Sequence, residues 1–347
     1  MSFIINLLLF IVILGVIVFV HEFGHFIMAK ATGMRVDEFA IGFGPKLVSR
    51  TFGETEYSIR CVPLGGFNDI AGMDPSDNDA GERGYCEKPV WKRMIVILAG
   101  PIMNFLLPIA IFFLIFMTVG VSSPSTRPEL GEVLPDQPAA MAGLQKGDRI
   151  EAINGEKVNA WDDIVRIVRS ADGTSMKIAY SRNGEARQAT VIPVRDKQEN
   201  RMVIGVMGAL DTRQPGVIEA AGTALGKTAY VIYHMVLGLV QIFTGDAAAE
   251  LAGPLGVMQM TGAVAKLGFA ALMNFAALLS LNLGIINLLP VPALDGGHFV
   301  TLLIEAVRGK PLGEKALHYT QMAGITVLVA LMLFATKNDV VRIFFGG

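Results

Sequence analysis

The first twenty residues, Met1 to Val20, carry no formal charge, and they run straight into His21-Glu22-Phe23-Gly24-His25. About twenty apolar residues in a helix suffice to cross a hydrocarbon core. An HExxH motif at the end of such a stretch constrains the chain twice: the helix must be buried, and two imidazoles and a carboxylate must find partners there. Positions i and i+4 of a helix share a face, so His21 and His25 can bind one Zn²⁺ while Glu22, on the same turn, reaches a water held by the ion. The competing reading is a pair of histidines satisfied by other groups in a helix bundle. Against it, ionisable residues in a span cost several kcal/mol and usually mark function. Zinc sites bind with on the order of ten kcal/mol, enough to offset that burial.

Composition agrees with a membrane protein carrying a soluble insert. At 52% hydrophobic and 17% charged, with a mean hydropathy of +0.50, the chain is too apolar for an average soluble protein and too charged for a bare helix bundle. Net charge is −2 with dispersed basic residues, which excludes nucleic acid as a partner. Residues 1–20 lack a basic n-region and an A-x-A-type cleavage site, so they are expected to stay as a span. Cys61 and Cys86 stand in neither CxxC nor CxxH spacing and read as reduced thiols.

Four apolar stretches, about 3–28, 94–119, 270–290 and 316–335, are long enough to span. The expected fold class is a polytopic α-helical membrane protein of about four transmembrane helices, with a small membrane-associated β-sheet and an inserted α+β domain. Residues 1–33 hold the first helix, 34–93 a β-rich loop, 94–119 the second helix and 127–206 the insert. Residues 207–268 form an amphipathic interfacial region, 269–292 the third helix unwound at its end, 293–315 a loop with a short helix, 316–336 the fourth helix and 337–347 a tail. Gly226–Phe243 contains Lys227, His234 and Gln241 among apolar residues and reads as a helix lying in the interface. His234 and His318 lack ligand partners nearby in sequence and read as structural.

Lysine and arginine are unequally shared. None precedes the first span, nine lie between Lys30 and Arg93, three between the third and fourth spans, and two follow the last. By the positive-inside rule the first and third connections face the cytoplasm, and both termini and the insert face the other side.

Between Arg35 and Phe67 the pattern is strand-like, clearest in Glu56-Tyr57-Ser58-Ile59-Arg60, with glycines 42, 44, 53, 65 and 66 as punctuation. Asp74 to Asp79 reads as a flexible loop with a solvated acid cluster. In the insert, Ile150–Asn154, Met176–Tyr180 and Ala189–Ile192 read as strands and Trp161–Val168 as an amphipathic helix. Its run from Gln137 to Ile150, followed by Ile153-Asn154-Gly155, resembles a PDZ domain.

Two histidines do not complete a catalytic zinc site, which has three protein ligands and an open position. The third is sought in Asn282 to His298, where Pro290 and Pro292 break the third span and free its backbone. Asp295 and His298 are both candidates. Spacing alone leaves the choice open, since Asp295 can equally cap a helix starting near His298 and His298 can be an interfacial side chain.

Together, His21-Glu22-Phe23-Gly24-His25, Gly100-Pro101-Ile102-Met103-Asn104, the PDZ-like insert and Leu294-Asp295-Gly296-Gly297-His298 resemble the site-2 proteases, most closely the bacterial RseP-type branch. The chain departs from that branch in having room for one PDZ domain rather than two. The resemblance implies intramembrane zinc proteolysis, with His21, His25 and Asp295 as metal ligands and Glu22 as acid/base. It also implies substrate handling by Asn282, Asn287, Pro290 and Pro292, and a membrane-entering β-loop at Gly42-Phe43-Gly44-Pro45 and Leu64-Gly65-Gly66-Phe67. The implied substrates are single-pass membrane-anchored regulators such as anti-sigma factors, already cut by an upstream site-1 protease, and remnant signal peptides. The implied location is the bacterial inner membrane, with the lipid bilayer as partner. Rival readings are a zinc transporter or metal sensor, because buried histidines and carboxylates also line ion paths, and a catalytically idle PDZ scaffold.

Overall fold

The computed structural model describes residues 3–73, 81–196, 201–245 and 253–345, so the expected Asp74–Asp79 loop lies outside the described residues. The chain opens with helix α1 (Phe3–Ala31), strands β1 (Val36–Phe52) and β2 (Thr55–Ile70), and helix α2 (Val90–Thr118). Next come β3 (Val121–Pro124), β4 (Leu130–Val133), α3 (Pro138–Met141), β5 (Arg149–Ile153), β6 (Glu156–Lys157), α4 (Trp161–Arg169), β7 (Met176–Arg182) and β8 (Glu185–Val191). Short strands β9 (Val194–Arg195), β10 (Met202–Val203), β11 (Val206–Gly208) and β12 (Leu210–Arg213) follow. Helices α5 (Val217–Thr244), α6 (Pro254–Ala265), α7 (Phe269–Asn287), α8 (Asp295–Arg308) and α9 (Glu314–Phe345) complete the order. Two compact units result: residues 118–215, and residues 1–117 with 216–347.

The inserted unit is built on an antiparallel sheet in the order β6-β5-β7-β8. Met176, Ile178 and Tyr180 alternate along β7 and are buried, as the period-two pattern requires. Ile150 and Ile153 are three apart yet both buried, because a register shift between Ile150 and Ala152 turns β5 over. On α4, Ile164, Ile167 and Val168 form the i, i+3, i+4 stripe that closes this core. Buried Asp148 is held by Arg182 at 2.7 and 2.8 Å, which compensates a carboxylate that would otherwise be costly inside.

In the other unit, α1 and α2 run antiparallel, since His25 meets Val96 and His21 meets Asn104. Gly24 makes that approach possible: a Cβ there would overlap the Ala99 carbonyl oxygen. α7 runs parallel to α1, with Ile13 and Ile17 packed on Leu272 and Ala276 and with Asn287 near His21.

The β1–β2 hairpin folds back on itself. Residues 38–41 of β1 pair with 56–59 on one side and with 66–69 on the other, while 46–52 pair with 55–60. The strand runs therefore lie in the order 46–52, 55–60, 38–41, 66–70, with 38–41 inside and 66–70 at an edge. Phe26 of α1 seats this sheet through edge-on contacts with Phe39 and Tyr57, at centroid distances of 5.2 and 5.9 Å.

Among the described residues, five helices are long and apolar enough to cross a membrane, the four expected spans and the helix expected in the interface: α1, α2, α5, α7 and α9. The addition is α5, which extends the expected Gly226–Phe243 helix back to Val217 and has the lowest peak hydropathy of the five. The third helix ends at Asn287, before Pro290, and the fourth continues as far as Phe345 through the residues expected as a tail. Val340, Val341 and Ile343 keep that segment apolar enough to stay helical.

Candidate metal centre

His21 and His25 sit one turn apart on α1, 7% and 8% exposed. Their Nε2 atoms are 3.3 Å apart. Asp295 Oδ2, from the first turn of α8, lies 3.1 Å from His21 Nε2 and 3.6 Å from His25 Nε2. Ligands each about 2.0–2.1 Å from a tetrahedral ion stand roughly 3.3 Å apart, so the three atoms already have the spacing of a zinc site. Asp295 Oδ2 is buried and accepts no hydrogen bond from the protein. A buried anionic oxygen facing two imidazole nitrogens is a donor set suited to a divalent cation, and the residues fit zinc. Among the described residues this is the His/Cys/Asp/Glu group that could hold a metal.

Local chain geometry explains how Asp295 gets there. After α7 ends, turns at Leu289–Val291 and Val291–Leu294 fold the chain into a loop, and Ala293 adopts φ +77°. A left-handed alanine costs on the order of 1 kcal/mol and is held only where surrounding structure fixes it. Gly296 and Gly297 press the start of α8 onto this loop: a Cβ at either would overlap the carbonyls of Leu288 and Leu289 or of Val291.

α2 supports both histidines along one face. Val96 O accepts a 2.8 Å hydrogen bond from His25 Nδ1, Asn104 contacts His21 Nδ1 at 3.1 Å, and between them Gly100 leaves the rings room, since a Cβ there would overlap His25 Nε2. Glu22 is fixed from the sheet. Asn68 Nδ2 donates to both Glu22 Oε2 and Glu22 O, each at 2.8 Å. Glu22 borders two cavities: one of about 200 Å³ shared with His25 and Asn68, and one of about 270 Å³ shared with Gly65, Gly66 and Asn287.

Of the expected substrate residues, Asn287, Gly65 and Gly66 line the second cavity with His21 and Asp295. Asn287 Nδ2 is 3.4 Å from His21 Nε2. Asn282 is exposed on α7, Pro290 is exposed, and Pro292 packs where α9 passes at Gly324; these three line neither cavity. Gly42, Phe43 and Gly44 also stand off the cavities, although Phe43 stacks on Phe67 at 6.3 Å. Gly42 and Gly44 hold φ +90° and +84°, and Gly65 holds +132° with the Phe43 ring where a Cβ would go. His298, the alternative third ligand, lines a separate cavity with Thr301 and Glu305.

The loop at residues 42–45 is tied down electrostatically. Arg60 donates to both Glu38 carboxylate oxygens and to Gly44 O. Burial alone would raise the Glu38 carboxyl, but hydrogen bonds from Ser58, Arg60 and Lys46 outweigh it and hold the group below its ordinary value.

In the sequence, Gly100 and Asn104 stood out only as the ends of the Gly100-Pro101-Ile102-Met103-Asn104 motif, with no role attached; Asn68 and the Val96 carbonyl carried no signal as site residues.

Residues 9–331 match the model of Peptidase family M50. Relatives include the Regulator of sigma-W protease RasP of Bacillus subtilis, 35% identical over 99% of this chain and 100% of that protein. The zinc metalloproteases RasP of Bacillus licheniformis and Geobacillus kaustophilus are 36% and 34% identical, over 96% and 98% of this chain and 98% of each relative. The PDZ domain of an SdrC-like protein from Listeria monocytogenes aligns at 24% identity over 25% of this chain and 90% of that one, with a TM-score of 0.22, too low to carry an argument.

Proposed function

The chain belongs to peptidase family M50, the site-2 proteases, and is a multi-pass zinc metalloprotease; from that premise we propose that it hydrolyses peptide bonds within transmembrane segments of single-pass regulatory proteins. The proposed substrates are membrane-anchored regulators of the anti-sigma-factor kind, shortened first by an upstream protease, and remnant signal peptides. The observation that carries this reading is the convergence of His21, His25 and Asp295 beside Glu22, on helices long and apolar enough to span.

His21, His25 and Asp295 would hold the zinc, which when bound would supply Lewis acidity to a water and to the scissile carbonyl. Glu22 takes the proton from the attacking water and passes it to the leaving nitrogen. Asn68 keeps the Glu22 carboxylate facing the cavities through its two hydrogen bonds. Asn287, whose amide borders the same cavity as Asp295, is suited to donate to the carbonyl oxygen as negative charge builds there.

A helical substrate must unwind before its carbonyls are accessible. Main-chain pairing with an exposed strand compensates for the lost helical bonds. Residues 38–41 are paired on both sides and leave no edge to offer. The edge run 66–70, which carries Asn68 and borders Glu22, is the better template.

Helix parity supports a four-crossing topology in which α5 lies in the interface. α2 runs antiparallel to α1 and α7 parallel to it, so the chain leaves α2 and enters α7 on the side where α1 begins. An even number of crossings must lie between them. α6 has 12 residues, about 18 Å of helix against a core of about 30 Å. It also packs at Asn6, near the start of α1. With α6 too short to return, α5 does not cross. Both termini and the PDZ-like unit then face outside the cytoplasm of a bacterial inner membrane, as the lysine and arginine distribution also argues. There the unit acts as a size filter that rejects substrates with bulky outer domains.

The test is substrate trapping. The Glu22→Gln chain, purified from membranes, should retain intact single-pass proteins that the active chain cleaves within their apolar segments. Cleavage confined to soluble peptides, with no transmembrane protein trapped, would overturn the reading.

A further inference from the structure

His21 faces two ways. Its Nε2 points at His25 Nε2 and Asp295 Oδ2. Its Nδ1 points at the carboxamide of Asn104, a side chain with 0% exposure in the interior of α2. A neutral imidazole carries one N–H and one lone pair. If Nε2 is the metal-binding atom, as the family reading requires and as this inference assumes, Nδ1 must carry the proton and needs an acceptor. Outer partners of this kind set the tautomer and basicity of metal-bound histidines. His25 has its acceptor, Val96 O, two turns before Asn104 on the same face of α2.

At His21 the atom facing Nδ1 is Asn104 Nδ2, a donor, while Asn104 Oδ1 is buried with no partner. A half-turn of the carboxamide exchanges the two atoms with almost no change of shape. Either orientation leaves one carboxamide atom unpartnered, so the exchange creates no new buried orphan, and it turns a donor-to-donor contact into a hydrogen bond once Nδ1 is protonated. The asparagine backbone is itself held, its carbonyl accepting from Ser280 Oγ at 2.9 Å.

We propose that Asn104 is a positioning residue of the metal centre: its Oδ1 accepts the His21 Nδ1–H, fixing the tautomer that leaves the Nε2 lone pair for a divalent cation. Asn104 acts through His21 and is not itself one of the three ligand residues. Asp is the substitution that keeps an acceptor and discards the donor, and Leu removes both while keeping the branched shape.

The experiment measures zinc affinity of the full chain in detergent by competition with a chromophoric chelator, for the parent, Asn104→Asp and Asn104→Leu. Asn104→Leu should bind about 10- to 100-fold more weakly, and Asn104→Asp within a few-fold of the parent. Leu binding like the parent, or Asp as weak as Leu, overturns the proposal. Because a buried carboxylate can impair folding, ¹⁵N-histidine spectra of the zinc-loaded parent provide a second measure. A protonated Nδ1 with a ligating Nε2 at His21 is expected, and an unprotonated Nδ1 or ligation through Nδ1 overturns it. Failure of the underlying reading looks different: the parent itself would bind no stoichiometric zinc, or His21→Ala would bind it as tightly.

Discussion

His21 Nε2 on the first helix and Asp295 Oδ2 at the start of the eighth lie 3.1 Å apart, although nearly the whole chain separates them in sequence. Three features make that meeting possible: α1 and α7 run in parallel, the chain loops through two turns after Asn287, and two glycines let α8 begin against that loop. Asp295→Ala should therefore release the metal, and zinc measured per purified chain should fall from about one to near zero. Glu22→Gln should keep zinc and lose about 10²- to 10⁴-fold in turnover. Near-normal cleavage by that variant removes Glu22 from its role.

Gly100→Ala tests the space rather than the ligands. Its methyl group would overlap His25 Nε2 and lie 2.8 Å from His21 Cε1, so zinc content and cleavage should both collapse. Gly15→Ala on α1, where a Cβ meets nothing within 4 Å, is the matched control and should behave as the parent.

The edge strand should meet the substrate. In a Glu22→Gln background with Cys61 and Cys86 changed to serine, single cysteines at Phe67 and Asp69 should cross-link to a trapped transmembrane substrate, and cysteines at Phe39 and Ile41 should not. The reverse pattern would move the pairing strand back to residues 39–41.

Glu54, at the hairpin turn, binds Arg83 and Lys30, and those hydrogen bonds hold its carboxyl at about 2. A carboxylate depressed in the folded state contributes fully above its ordinary value near 4.5, and that contribution is lost as pH falls through the folded one. Hydrogen exchange at residues 52–56, corrected for intrinsic rates, should therefore accelerate as pH drops from 5 to 2. The same measurement on Glu54→Gln should show no such transition.

Removing residues 127–206 tests the filter. A chain joined across the paired β3 and β12 ends should accept substrates with intact outer domains that the parent rejects. Continued rejection would dispose of the size-exclusion role.

Some of this was legible in the sequence. The HExxH pair lies within one helix, where spacing alone sets which side chains share a face. The strands of the inserted unit could be read from alternation, as β5, β7 and β8 bear out near their expected positions. The choice between Asp295 and His298 could not be made from spacing, because it depends on the turn at Ala293 and on what the first turn of α8 packs against. The β-hairpin read as a simple sheet; its fold-back, which sets 38–41 inside the sheet and 66–70 at its edge, comes from bulges that no hydrophobic pattern announces.

By itself the sequence determined the apolar helices, the metal-binding residue types and their family, since each is written in local composition or in a short motif. Only the tertiary structure decided which asparagines serve the site. Asn68 and Asn104 reach Glu22 and His21 across separate elements, whereas Asn282, one helical segment from Asn287, turns outward. A polar side chain in an apolar chain needs a partner, but its identity is fixed by how helices and strands cross, and that is a property of packing rather than of any stretch of residues.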